Sequence, residues 1–107
     1  MGQVAGSAVA WQTVVFNLIL NAIEHTPAGG TAHVGLEIQE GNVIFETNNP
    51  GEPLDDARRE VIFEPFVTEG GTGLGLALVA RRLRELGGTV DVESAEGRVC
   101  FRVKACA

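Results

Sequence analysis

The chain has 107 residues, 45% of them hydrophobic and 21% charged, with a net charge of −6. That size supports one modest core, and the composition is that of a folded globular domain rather than a disordered segment. The acidic balance argues against a general nucleic-acid surface, which needs clustered Lys and Arg, but allows a nucleotide held by backbone N–H groups and a metal.

No apolar run is long enough to span a bilayer and no secretory signal is evident, so the expected location is cytoplasmic, without direct membrane contact. A membrane-anchored parent with this domain in the cytoplasm fits equally. Cys100 lies in a strand-like run, where Cys106, six residues on, is too far to bridge without a turn. They are expected to be reduced thiols.

In chain order, Ser7 is a candidate cap for a helix reaching about His25, with Trp11, Val14, Val15, Leu18, Ile19, Ala22 and Ile23 on its buried face. Pro27 ends it by disfavouring helical backbone at Thr26. Val34, Leu36 and Ile38 alternate in a first strand, and Val43 and Phe45 in a second, with a turn at Glu40-Gly41-Asn42. Residues Asn48 to Pro53 contain two prolines and are expected to be irregular. A short helix is predicted over Asp55 to Ile62, with acidic residues in its first turn.

A glycine-rich stretch from Gly70 to Gly75 opens onto a second long helix, with Leu76, Val79, Leu83 and Leu86 as its core stripe and Gly87-Gly88 as its stop. Two strands follow, Thr89 to Glu93 and Arg98 to Lys104, joined at Ala95-Glu96-Gly97. This order predicts an α+β fold, a two-layer α/β sandwich whose mixed, mostly antiparallel sheet carries its helices on one face.

Two features bear on chemistry. Asn17 and Asn21 sit one helical turn apart, so their carboxamides share a face. They are either helix-edge amides satisfied by backbone and water, or oxygen ligands for a hard cation such as Mg²⁺. Glu24 and His25 continue that edge, within reach of a nucleotide, although a lone histidine at a helix end is more often a surface residue.

The glycine stretch is the second feature. It suits tight turns or a phosphate at a helix N-terminus. It is not a P-loop, because no Lys follows a glycine, and not a dinucleotide-binding turn, because Leu76 stands where the third glycine belongs.

Asn17-Leu18-Ile19-Leu20-Asn21-Ala22, Phe63-Glu64-Pro65-Phe66 and Gly71-Thr72-Gly73-Leu74-Gly75-Leu76-Ala77 together resemble, in order, three boxes of sensor histidine kinases. That family shares a superfamily with gyrase, heat-shock chaperone and mismatch-repair ATPases. The resemblance implies the Bergerat ATP-binding fold, a catalytic domain over residues 1–107, and ATP with Mg²⁺ as its ligands. Asn21, assisted by Asn17, would hold the metal. Gly71, Thr72, Gly73, Leu74, Gly75 and Leu76 would meet the phosphates at the start of the helix. Phe63 and Phe66 would pack at the base of a lid over the nucleotide, with plain core as the other reading.

The first glycine box departs from the family pattern. Gly51 aligns with its first glycine, which puts Asn49 at the adenine-binding Asp, Pro53 at the second glycine and Leu54 at the following apolar position. An alternative register puts Thr47 at the adenine. The lid is short, and Glu69 is the only charge in Val67-Thr68-Glu69-Gly70, where related kinases often carry a cation.

By the same resemblance the chain transfers the γ-phosphoryl group to a histidine on a separate dimerisation domain, absent here, and a response regulator receives it afterwards. The isolated domain is expected to be monomeric and not to autophosphorylate. A degenerate nucleotide- or partner-binding module and an anti-sigma-type Ser kinase are the rival readings.

Overall fold

In the computed structural model, which describes residues 4–64 and 75–106, helix α1 spans Val4–His25. It starts before the expected cap, so Ser7 lies inside the helix; alanines favour continued helix there. Strands β1 (His33–Gln39) and β2 (Asn42–Pro50) form a hairpin, then come α2 (Asp56–Val61), α3 (Gly75–Leu86), β3 (Thr89–Ala95) and β4 (Arg98–Cys106). None of the described helices is long and apolar enough to cross a membrane.

The sheet order is β1-β2-β4-β3, and each neighbouring pair is antiparallel. Both hairpins turn on left-handed residue pairs, Glu40-Gly41 (φ 51° and 82°) and Glu96-Gly97 (φ 54° and 78°). Positive φ at both positions matches the right-handed twist of the strands they join.

Residues directly opposite each other in an antiparallel pair share a face. Phe45 faces Val103, Thr47 faces Phe101 and Asn49 faces Val99. These residues look toward α1 and α3, whose Val14, Leu18, Leu76, Val79 and Leu83 complete one core cluster with Phe45, Phe101 and Val103. Each such side chain contributes about 1.5–3 kcal/mol by leaving water. Helix α3 stops as expected: Gly87 N–H donates to Arg84 O (3.2 Å) and Gly88 N–H to Leu83 O (2.8 Å), with Gly87 at φ 69°.

One expectation changes. Asn48, Asn49 and Pro50 are not irregular but complete β2. Strand β1 ends opposite Asn48, so Pro50 has a neighbour on one side only and its missing N–H is tolerated as at a sheet edge. The alternation of Val34, Leu36 and Ile38 is real, yet these side chains are 58%, 69% and 69% exposed. The helices cover the middle of the sheet and leave β1 beyond their reach.

The opposite sheet face is mostly polar, with Ile44 buried in it. Cys100 and Cys106 lie there as free thiols, Cys106 exposed and Cys100 half-buried with its Sγ 3.8 Å from Glu46 Oε1. Burial, reinforced by the Glu46 carboxylate, pushes the Cys100 thiol above its ordinary pKa. A raised pKa leaves less thiolate at any given pH, so iodoacetamide at neutral pH is expected to label Cys106 first. Peptide mapping showing Cys100 labelled as fast as Cys106 would contradict this.

Candidate functional site

The chain leaving β2 is pinned to the β3–β4 hairpin. Gly51 N–H donates to Gly97 O (2.9 Å), and Leu54 N–H donates to Ser94 Oγ (2.8 Å). Arg98 holds the outer side of the same strand end, donating to Asn48 Oδ1 and to Thr31 O, the latter at 3.0 Å. Gly51 is required by close approach: a β carbon there would stand 2.8 Å from Val99 Cγ2. Asp55 then caps α2 by accepting from Arg58 N–H at 2.8 Å.

Beside this segment lies a cavity of about 330 Å³. Its apolar wall is Leu54, Ile62, Leu76, Val99 and Phe101; its polar groups are Asn21 and His25 from α1, Asn49 from β2, and Glu52 and Arg58. That volume and that mixture, mostly apolar with a few placed polar groups, suit a small organic ligand.

Asn49 is the most informative group in the wall. It is 2% exposed, and its Nδ2 donates to Pro50 O at 2.7 Å, which sets the direction of the amide. Its Oδ1 is consequently a buried acceptor with no hydrogen-bond partner among the described residues. Buried acceptors are almost always paired, so this one calls for a donor other than the described residues. Thr47, two residues back on the same face, is fully buried, and its Oγ1 is also without a partner among the described residues.

On α1, Asn17 is half-buried and its Nδ2 donates to Thr13 O at 2.8 Å. A β carbon at Gly75 would stand 3.3 Å from Asn17 Oδ1, so the start of α3 abuts Asn17. Asn21, one turn further, is half-buried and lines the cavity. Among the described residues no group of three His, Cys, Asp or Glu side chains forms a metal cage.

Residues 6–106 match the family described as histidine kinase-, DNA gyrase B- and HSP90-like ATPases. The chain belongs to that family. It is 47% identical over 79 residues, 72% of its length, to the sensory histidine kinase/phosphatase NtrB of Rhodobacter capsulatus, of which it spans 20%. The catalytic domain of the histidine kinase ThkA, in a nucleotide-free form, shares the fold with a TM-score of 0.81 at 31% identity. That likeness covers 92% of this chain and 65% of the ThkA chain. Full-length ShkA in complex with AMPPNP gives a TM-score of 0.79 at 31% identity, over 90% of this chain and 21% of that one.

Of the ATPase boxes read from the sequence, Asn21, His25, Asn49, Gly51, Leu54 and Leu76 come together around the cavity. Asn17, Glu24, Pro53, Phe63 and Gly75 do not line it, although Gly75 meets Asn17, and the Phe63 ring packs edge-on against Phe101. Phe66, Gly71, Thr72, Gly73 and Leu74 lie outside the described residues. Sequence reasoning missed Glu52, Arg58, Ile62, Val99 and Phe101. Val99 and Phe101 were legible only as the buried face of a strand. Arg58 on α2 and Ile62 at its C-cap are four residues apart, a spacing that does not say what either meets.

Proposed function

We propose that this chain is the ATP-binding catalytic domain of a two-component sensor histidine kinase. The observation that carries the reading is the buried Asn49 Oδ1 in the wall of the cavity, without a partner among the described residues. An adenine exocyclic amino group is a donor of the kind it lacks, and Leu54, Ile62, Leu76, Val99 and Phe101 supply apolar surface for the ring. Gly71, Gly73 and Gly75, with Thr72, Leu74 and Leu76, would bring backbone N–H groups to the phosphates, Phe63 and Phe66 would support the lid, and Pro53 would shape the turn beneath the base. His25 in the cavity wall, with Glu24 beside it, would extend the α1 edge toward the ligand.

The donor set fits Mg²⁺. Carboxamide oxygens are hard ligands, and Mg²⁺ commonly takes one or two protein oxygens together with water and phosphates, which needs no protein cage. Asn21 would hold it, with Asn17 one turn away keeping α1 and the start of α3 in register. Bound there, the ion would neutralise phosphate charge. The protein's own part in transfer is positioning: the γ-phosphorus–oxygen bond to ADP breaks as a bond to a histidine nitrogen on a separate dimerisation domain forms. A response regulator would then accept the phosphoryl group, in the cytoplasm.

Two measurements test this reading. Calorimetric titration is expected to show Mg-ATP and Mg-ADP binding, with Asn21→Ala weakening Mg-ATP about tenfold or more and erasing most of the Mg²⁺ dependence. Labelled ATP is expected to put no phosphate on the chain alone and to label an added dimerisation domain in trans. Absence of any nucleotide binding, or label on the isolated chain, overturns the proposal.

A further inference from the structure

Among the described residues that line the cavity, the permanent cation is Arg58. We propose that Arg58 contacts the phosphate chain of the bound nucleotide, so that a helix outside the lid supplies the cation; this rests on the nucleotide reading above. Arg58 lies on α2, with Leu54 just before its cap and Ile62 at its C-cap, and all three line the cavity, which sets this segment against it. Leu54 and Ile62 are half-buried and buried, whereas Arg58 is exposed, so its guanidinium stands at the rim rather than in the apolar wall.

Charge argues for phosphate as its target. A nucleoside triphosphate is multiply anionic, and Glu52 adds a carboxylate to the same cavity. The segment between the phenylalanine box and the glycine box offers only Glu69 as a charge. A bound polyphosphate therefore draws its side-chain cation from another part of the sequence. The planar fork of arginine presents two parallel N–H donors to phosphate oxygens, and a rim position lets it keep its hydration until the ligand arrives. Asn21, on α1, contributes from a different helix, so the metal edge and the guanidinium act on the phosphates from separate elements.

The other role open to a rim arginine is stacking on the purine face, and the ligand series separates the two. The full chain would be titrated calorimetrically with adenosine, AMP, Mg-ADP and Mg-ATP, using wild type, Arg58→Ala, Arg58→Lys and Arg59→Ala. The last variant removes the same charge from the same helix at an exposed residue that does not line the cavity. Arg58→Ala is expected to weaken Mg-ATP about tenfold while leaving adenosine unchanged, since a charged hydrogen bond is lost only where phosphate is present. Arg58→Lys should recover part of the loss, and Arg59→Ala should match wild type.

Equal loss for adenosine and Mg-ATP would assign Arg58 to the base and overturn the proposal. So would an unchanged Arg58→Ala, or an equal loss in Arg59→Ala, which would mark a general field effect. These failures leave wild-type nucleotide binding intact, whereas absence of wild-type binding removes the nucleotide reading itself.

Discussion

Phe101→Ala is expected to lower stability by about 3–5 kcal/mol, a large share of the roughly 5–15 kcal/mol typical of a domain. Phe101 is 2% exposed at the centre of β4, opposite Thr47, and among the largest fully buried side chains. Its ring meets that of Phe63 edge-on, with centroids 5.9 Å apart and planes at 84°. This geometry adds about 0.5–1.5 kcal/mol beyond area burial. It also ties the chain leaving α2 to the sheet.

Truncation therefore removes core packing and the support of one cavity wall together. The void would open into the existing cavity, where water can relieve part of the cost, so Phe101→Leu should keep most of the stability. Urea denaturation would show a lowered midpoint with an unchanged slope. A loss under about 1 kcal/mol would show that the ring is not the keystone of this core.

Asn49→Leu is expected to do the reverse, weakening Mg-ATP about 100-fold while changing stability by less than about 1 kcal/mol. In the ligand-free chain the Asn49 amide gains one bond, Nδ2 to Pro50 O, and leaves Oδ1 buried and unpaired among the described residues. Leucine gives up the bond and also removes the orphan acceptor, so the two effects nearly cancel. With nucleotide present they do not cancel, because the adenine amino group loses its acceptor inside an apolar wall. Asn49→Asp is a different case: a carboxylate cannot donate to Pro50 O, so two oxygens would oppose each other where the amide now makes a 2.7 Å bond. Unchanged Mg-ATP affinity in Asn49→Leu would remove Asn49 from base recognition.

Much of the architecture was readable from local pattern. Helical spacing identified Val14, Leu18, Val79 and Leu83, all at most 1% exposed, as core. The Glu-Gly pairs marked both hairpin turns, and Asp55 marked the start of α2. Local pattern failed where a neighbour set the outcome. Pro50 reads as a strand breaker, but the early end of β1 leaves its nitrogen no partner to lose. Val34, Leu36 and Ile38 read as an alternating strand, and only the packing shows that this apolar row is left exposed.

The site divides along the same line. Asn17 and Asn21 one turn apart, Asn49 two residues before Gly51, and the glycine run before α3 were determined by the sequence by itself, because each is a matter of residue type and local spacing. That Asn21, Asn49, Arg58 and Val99 share one cavity was decided by the tertiary structure alone. They come from four elements, brought together by the sheet register and by the bonds from Gly51 and Leu54 to the β3–β4 hairpin. The direction of the Asn49 amide belongs there too, since a hydrogen bond sets it and no residue type encodes it.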